Sequence, residues 1–235
     1  MKKTIKVAYL YYDLMNLYGE VGNIRAFKNF CEREGANVSI DKLTIGDKID
    51  FKKYDFYYIG CGSEENLYIT LEDILKYRKD IIKAIDNGKF ILATGNAMEL
   101  FGKKIRTKDG RNIPCLDIID YQSYEKNERI VGECVHKCNL LPIDGETVVG
   151  FKNTQCKIVH NNERFMGATD VSKKNNFYAM NFVGPLLIRN PYFTNMLVEE
   201  LFKQKGYDYS AITDTCEFQE YNEFIKLFIK RDNLD

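Results

Sequence analysis

Short apolar runs alternate with amphipathic stretches along the first half of the chain. Each run has the length and composition of a strand that is covered on both faces of a sheet. The stretches between them repeat apolar residues at helical spacing, as where Ile24, Phe27 and Phe30 share one face before Gly35. This alternation predicts an α/β fold with a parallel, doubly wound sheet. The predicted strands span residues 5–11, 37–43, 54–60 and 90–94, and the predicted helices span 22–34, 67–87 and a stretch ending at 102.

The second half of the chain is richer in strand patterns. Further strands are predicted over 129–136, 147–152 and 177–182. Asn190 and Pro191 are predicted to cap a helix over 192–205. Asp214 and Glu217 are predicted to form a capping pair for a last helix that reaches about Arg231. We therefore expect one domain over 1–206 and a helical extension over 207–235 that packs on it.

Composition narrows the possible functions. The 235 residues include 45% hydrophobic residues, and 34 basic residues balance 34 acidic ones, which argues against a surface built for nucleic acid. No stretch approaches the roughly 18 apolar residues that a membrane span needs, and no signal peptide is recognised, so a cytoplasmic location is expected. The seven cysteines are scattered, which favours reduced, buried side chains.

The segment from Phe90 to Gly102, FILATGNAMELFG, has the form of a nucleophile elbow. An elbow is a strand, a tight turn and a helix that expose one reactive side chain above the strand ends. Here the turn offers Gly95 and Asn96 but no cysteine, serine or general base. A second turn, Gly60-Cys61-Gly62, follows the preceding strand and should lie at the same sheet edge. The pattern predicts an enzyme-like frame without its reactive group.

Two cysteine arrangements offer alternative chemistry. Cys61 precedes a predicted helix, whose N-terminus would lower the thiol pKa, so it is the substitute nucleophile to consider. The alternative is a small side chain that fills a glycine site. Cys134, His136 and Cys138 alternate on one strand and suggest zinc, with Cys156 or His160 as a further ligand. Three ligands on one strand face lie too far apart to close easily round one ion, so buried cysteines are favoured and no metal is expected.

Six phrases, in order, resemble the class I glutamine amidotransferases of the cobyric acid synthase type. In particular they resemble the glutaminase subunit of lipid II isoglutaminyl synthase, which works beside a Mur-ligase-like subunit. The family phrases L-Y-P-D-L-L-N-x-Y-G-D-x-G-N, G-G-G-Q-D, I-L-G-I-C-G-G-Y-Q-L-L-G, R-L-V-G-E, G-F-E-N-H-G-G and T-Y-L-H-G-P-L-L-x-x-N-P match residues 10–23, 60–66, 91–102, 129–133, 150–156 and 180–191. The resemblance implies a three-layer, flavodoxin-like domain with a mostly parallel central sheet.

The departures from the family pattern fall on the chemistry. These glutaminases attack the glutamine amide with a cysteine thiolate, use a histidine to carry the proton and hold the oxyanion with backbone N–H groups. The cysteine position is Gly95 here, the histidine position is Val183, and a second family histidine is Thr154. Loss of one such group typically costs on the order of 10⁶ in rate. The resemblance therefore implies a protein that is inactive as a glutaminase.

Three functions follow as hypotheses. The first is an inactive subunit that supports or regulates a Mur-ligase-like partner in cell-wall precursor modification. The second is an active glutaminase that uses Cys61 and supplies ammonia to amidate lipid II or a corrinoid. The third is a small-molecule sensor, because glycine at position 95 would enlarge the pocket. Glutamine or another small amino acid is the expected ligand, and no cofactor is expected. The expected ligand-binding residues are Gly60, Cys61, Gly62, Gly95, Asn96 and Arg129.

Arg129 is a candidate for the predicted site, whereas two glutamates near the turns are not. The family places an arginine near this phrase, so Arg129 is interpreted either as a ligand for the glutamine carboxylate or as a solvated charge at a strand end. Glu64 and Glu65 are interpreted as the start of a helix, where carboxylates favour the N-terminal dipole.

Overall fold

A six-stranded sheet forms the centre of the protein. A computed structural model describes residues 2–137, 147–160, 170–211 and 213–232. The strand order is β2-β1-β3-β4-β10-β9, and all neighbours pair in parallel except β9, which is antiparallel to β10. This confirms the predicted mostly parallel sheet. The strands are β1 (Thr4–Leu10), β2 (Asn37–Leu43), β3 (Phe56–Ile59), β4 (Phe90–Thr94), β9 (Val171–Lys174) and β10 (Phe177–Met180).

Helices cover both faces of this sheet and make three layers. On one face Tyr9 and Tyr58 pack with Phe27 of helix α1 (Val21–Arg33) and Leu197 of helix α5 (Pro191–Gln204). Helices α2 (Glu64–Ile74) and α3 (Arg78–Asp86) supply the core of the other face, which also contains Ala8 and Leu10 of β1. The alternation of these β1 side chains between the two cores explains why the strand is apolar throughout.

Two predicted helices differ from the structure. The stretch 67–87 is split into α2 and α3 by a 3₁₀ turn, Leu75–Tyr77. The turn brings the Tyr77 hydroxyl to the 47–49 loop and the Arg78 side chain to the Leu116 carbonyl. The helix of the elbow is a 3₁₀ helix, Gly95–Phe101, because its carbonyls accept hydrogen bonds from residues 116–121 instead of continuing an α-helical ladder. Contacts distant in sequence determine both changes.

A second sheet of four strands, in the order β6-β5-β7-β8, covers the elbow. Its main part is a long antiparallel ribbon, which extends the strands predicted over 129–136 and 147–152. The pairing register shifts between Glu125 and Ile130, so Arg129 lies at an irregularity within β7 and not at a strand end as interpreted. The strands are β5 (Lys104–Arg106), β6 (Asn112–Pro114), β7 (Tyr121–Lys137) and β8 (Thr147–His160).

The C-terminal part adds helix α4 (Leu186–Arg189) and helix α6 (Cys216–Asp232). Phe218 of α6 packs against Phe30 of α1 and Tyr192 of α5. Asn190 is the N-cap residue of α5 and Pro191 lies in its first turn, as predicted. The Asn190 side chain makes no capping hydrogen bond to the helix and instead bonds both backbone groups of Val149.

At the start of α6, Glu217 lies in the first turn and pairs with Arg33 at 2.5 Å, and Asp214 accepts a hydrogen bond from the Gln219 side chain at 3.3 Å. No helix within the described part of the chain is long and apolar enough to cross a membrane.

Candidate functional site

A buried carboxylate joins helix α1, strands β3 and β4 and the loop after β10 near the carboxyl ends of the central strands. Glu20, which is fully buried, lies just before α1. Its Oε2 accepts hydrogen bonds from the Thr94 hydroxyl at 2.7 Å, from the Asn23 amide at 2.8 Å and from the Tyr58 hydroxyl. Its Oε1 accepts from the Gly184 N–H at 2.9 Å. Burial raises the pKa of Glu20, and the hydrogen bonds from Tyr58, Thr94 and Gly184 oppose the rise. Glu20 therefore fixes the elbow to the loop that follows β10.

The elbow itself has the strained backbone that its sequence predicts. Gly95 has a φ of +58°, in the left-handed region that favours glycine, and its N–H donates to the Phe182 carbonyl at 2.8 Å. A Cβ atom added here would lie 2.6 Å from Cys61 Cβ and 2.8 Å from Cys61 Sγ. The Cys61 side chain therefore occupies the space that a nucleophile at position 95 would need. Gly95 does not enlarge the pocket, and the expectation of a vacated space is corrected.

Cys61 does not have the environment of an activated thiol. Its side chain is buried, and burial raises the thiol pKa to about 12, although a backbone hydrogen bond from Asn96 opposes the rise. The expected lowering of the pKa by the helix N-terminus is therefore wrong. The N-terminus of α2 is capped instead by Ser63, whose hydroxyl accepts from the Asn66 N–H at 3.1 Å. Glu64 and Glu65 lie in the first turn of α2, as interpreted.

The Asn96 side chain forms hydrogen bonds with the neighbouring turn. Its Oδ1 accepts from the Gly62 N–H at 3.0 Å, and its Nδ2 donates to the Gly62 carbonyl at 2.8 Å. The Gly62 N–H, in the turn that resembles the family's glycine run, is therefore already bonded. These two hydrogen bonds hold the two turns together, and they leave fewer backbone N–H groups available to bind an oxyanion.

A cavity of about 320 Å³ lies beside these turns. Of the residues expected to bind a ligand, Cys61, Gly62, Asn96 and Arg129 line it, whereas Gly60 and Gly95 do not. A Cβ atom added at Gly60 would instead meet the Met15 carbonyl and the Glu20 side chain. The cavity is bounded by α2, by the 3₁₀ helix and by the β7–β8 ribbon.

Charged side chains of both signs line the cavity. Arg129 forms an ion pair with Glu64 and donates to the Asn153 side chain at 2.9 Å. Glu125 accepts from the Tyr68 hydroxyl at 2.6 Å and from the Lys108 N–H at 3.0 Å. Arg129 thus lines the cavity, as one of its two interpretations requires, but it already has a carboxylate partner.

Glu99 is among the lining residues that sequence reasoning missed. It is only 3% exposed, and its Oε2 has no hydrogen-bond partner. Burial raises its pKa to about 7; a hydrogen bond from the Cys156 thiol opposes this, and Glu125 and Glu64 add to it. Glu99 stands where the family phrase I-L-G-I-C-G-G-Y-Q-L-L-G has glutamine. This exchange of an amide for an acid was the signal that could have found it.

Neither histidine lines the cavity. His136 stacks on Phe182 with ring centroids 5.2 Å apart, and burial lowers its pKa. His160 contacts the Tyr121 ring. At the family's histidine position Val183 is buried, and its N–H donates to a carbonyl of β8. The second family position, Thr154, does line the cavity.

The zinc hypothesis receives no support from the described residues. Among them no three histidine, cysteine, aspartate or glutamate side chains come together as a metal site. Cys134 and His136 belong to β7, and His136 Nε2 lies 3.8 Å from Asp170. Cys138, the third residue of that hypothesis, lies outside the described residues.

The parallel sheet, the elbow and the second sheet over it define a glutamine amidotransferase-like fold. Residues 6–185 match the model of the CobB/CobQ-like glutamine amidotransferase domain, and the chain belongs to that family. It is 26% identical to the lipid II isoglutaminyl synthase (glutamine-hydrolyzing) subunit GatD of Staphylococcus aureus, over 88% of this chain and 89% of the relative. It is 30% identical to the GatD subunit of Streptococcus pneumoniae, over 86% and 82% of the two chains.

Solved structures agree on the fold. A glutamine amidotransferase from Thermotoga maritima superposes with a TM-score of 0.51 at 15% identity, over 87% of this chain and 86% of that one. The glutaminase domain of Trypanosoma brucei CTPS with bound acivicin also gives a TM-score of 0.51, at 10% identity, over 88% and 96% of the two chains. At such identities the likeness concerns the fold alone.

Proposed function

We propose that this chain is a glutamine amidotransferase-like subunit that has lost glutaminase activity and supports or regulates a Mur-ligase-like partner. The partner would modify cell-wall precursors in the cytoplasm. The names of the two bacterial relatives, both subunits of lipid II isoglutaminyl synthase, support the pathway and the need for a partner.

The contact between Gly95 and Cys61 carries the proposal. A cysteine at position 95 would need the space that the Cys61 side chain fills, so the nucleophile position is both unoccupied and closed. Val183 has no group to carry a proton, and Asn96 takes the N–H of Gly62. The nucleophile and the base are thus absent, and one backbone donor is already engaged. Their loss removes the covalent route to glutamine hydrolysis.

A direct test measures ammonia release from glutamine by the purified chain, alone and with the co-expressed Mur-ligase-like protein. We expect no release in either case and co-purification of the two proteins. Ammonia release that Cys61→Ala abolishes would overturn the loss of activity. Failure to co-purify, with the chain folded, would overturn the partnership.

One observation favours a second candidate function, an active glutaminase. Cys61 Sγ lies 2.8 Å from the place where a Cβ at position 95 would stand, so a thiol is present close to the family's nucleophile position. Released ammonia would then serve amidation at the partner. The raised thiol pKa and the distance of both histidines from the cavity weigh against it. A glutamine-analogue electrophile tests it, because an adduct on Cys61 would establish a relocated nucleophile.

A further inference from the structure

A second cavity, of about 370 Å³, lies at the opposite edge of the central sheet from Gly95. It is bounded by the loop between β2 and β3, by α3 and by the residue that precedes β4. Because β3 and β4 are parallel, both strands begin at this edge, whereas the elbow follows the end of β4. Among the described residues, none lines both this cavity and the one beside the elbow.

Lysine side chains determine the charge of this second cavity. The four that line it, and that define what we call the lysine pocket, are Lys48, Lys52, Lys83 and Lys89. Asp50 and Asp80 also line it, so the described lining has two positive charges in excess. The whole chain has equal numbers of basic and acidic residues, so this excess is a local feature. An anion is therefore the expected occupant.

The ammonium groups of the lysine pocket are available to a ligand. Within the described part of the chain, Lys48, Lys52 and Lys83 form no ion pair and donate no side-chain hydrogen bond. Lys89 donates to the Tyr54 carbonyl at 2.7 Å, which leaves two of its three N–H groups for another acceptor. Like charges that share a pocket without a counterion repel one another, so an anion bound among them would be stabilised.

The loop between β2 and β3 is held in place by the protein itself. The Tyr77 hydroxyl accepts a hydrogen bond from the Ile49 N–H at 3.3 Å, and the Tyr57 hydroxyl donates to the Asp50 carbonyl at 3.1 Å. The ring of Phe51 stacks on the ring of Tyr57, with centroids 5.1 Å apart. A ligand therefore does not have to order this loop, which favours binding to a preformed pocket.

We propose that the lysine pocket binds a small phosphate ester. Lysine binds phosphate as a compact point charge, whereas arginine, which suits a planar carboxylate through paired hydrogen bonds, is absent from the described lining. A phosphate monoester carries about 1.5–2 negative charges at pH 7, which matches the excess of positive charge. Ile49, Phe51 and Ala84 also line the pocket and offer an apolar surface to the organic part of the ester. This inference goes beyond the proposed function, because the pocket is remote from the elbow.

The experiment is titration calorimetry of the purified chain at pH 8, where a phosphate monoester is doubly charged. The probe is phenyl phosphate. Two ligands are compared with it: inorganic phosphate lacks the apolar ring, and benzoate has the ring but a single charge. We expect phenyl phosphate to bind at millimolar concentration or below, and each of the other two to bind at least about threefold more weakly. An increase in salt from about 50 mM to about 500 mM should weaken the binding of phenyl phosphate at least about threefold.

Three substitutions on α3 assign this binding to the lysine pocket. Lys83→Met should weaken the binding of phenyl phosphate about threefold or more, and Asp80→Asn should strengthen it about twofold, because it removes a like charge. Lys79→Met is the matched control, since Lys79 lies on the same helix but does not line the pocket, and it should leave the affinity unchanged. Lys48→Met combined with Lys83→Met should weaken binding about tenfold or more.

Several outcomes would overturn the proposal. They are no binding of phenyl phosphate at about 10 mM, equally tight binding of benzoate, and an unchanged affinity in the double variant, with circular dichroism showing that each variant is folded. An equal loss in Lys79→Met and Lys83→Met would also overturn it, because it would indicate attraction by the charge of the surface rather than a site. Ammonia release and co-purification test the proposed function separately, so failure of one proposal leaves the other unaffected.

Discussion

Two buried glutamates at the same edge of the sheet have opposite surroundings. Glu20 accepts hydrogen bonds from Asn23, Tyr58, Thr94 and Gly184, which belong to four different parts of the chain. Glu99, only a few residues beyond Thr94, leaves Oε2 without a partner. A buried carboxyl whose oxygens all accept hydrogen bonds stabilises the fold. A buried carboxyl with an oxygen that accepts none lowers the free energy of unfolding unless something binds to it. Glu20 thus belongs to the part of the site that holds the fold together, whereas Glu99 belongs to the part that departs from the family pattern.

Removal of Glu20 should have the largest effect. Glu20→Ala leaves several buried donors without an acceptor, so we expect a loss of about 3–5 kcal/mol in the free energy of unfolding. Glu72→Ala, on the exposed side of α2, is the control and should change stability by less than about 0.5 kcal/mol. Urea denaturation of both variants checks this. A loss below about 1 kcal/mol for Glu20→Ala would show that Glu20 does not stabilise the fold as argued.

The contact between the elbow and Cys61 should give the next largest effect. Gly95→Ala forces a side chain into a left-handed backbone and against Cys61, so a loss of about 2–4 kcal/mol is expected. In a Cys61→Gly background only the backbone strain remains, and the cost should fall to about 1–2 kcal/mol. A double-mutant cycle by urea denaturation measures the coupling. Additive effects would show that Cys61 does not close the nucleophile position.

Glu99→Gln should act in the opposite direction to Glu20→Ala. The folded pKa of about 7 exceeds the ordinary value of 4.5, so the folded protein holds this proton more tightly than the unfolded chain does. The stabilisation is complete below pH 4.5 and is lost as pH rises through 7. Wild type should therefore lose about 2–3 kcal/mol in its free energy of unfolding between pH 5 and pH 8 that Glu99→Gln does not lose.

Urea denaturation of wild type, Glu99→Gln and the control Glu125→Gln at the two pH values checks this difference. If Glu99→Gln and wild type lose stability in parallel between pH 5 and pH 8, then Glu99 is not the group that titrates. The contrast with Glu20 would then rest on hydrogen bonding alone.

The sequence predicted the frame of the site better than its contents. Apolar runs such as Phe90–Thr94 were sufficient to predict the parallel sheet, and the Gly95 turn predicted the elbow, because both depend on local pattern. The extent of the β7–β8 ribbon was missed, since its polar residues carry no strong alternation. The contact of Cys61 with the Gly95 position joins residues distant in the chain, so no local pattern reveals it.

Glu99 was missed for a different reason. On a short helix one glutamate among apolar neighbours looks like a solvated residue, because carboxylates are almost never fully buried without a partner. Its burial depends on β8, which lies over the 3₁₀ helix and brings the Cys156 thiol to the carboxyl. Only the comparison with the family's glutamine at this position would have marked it in advance.

Replacement of Arg129 should have the smallest effect on stability. The size of that effect shows whether Arg129 stabilises the fold, as Glu20 does, or only lines the cavity, as Glu99 does. Its ion pair with Glu64 is partly exposed, with 34% of the arginine side chain and 54% of the glutamate side chain accessible, so Arg129→Met should cost only about 0–1 kcal/mol. Lys226→Met, which removes an exposed pair with Glu223 on α6, is the matched control. Urea denaturation at low and high salt should show a small difference from wild type that salt removes. A loss above about 2 kcal/mol would place Arg129 with Glu20 among the residues that hold the fold together, whereas a small loss would place it with the side chains that only line the cavity.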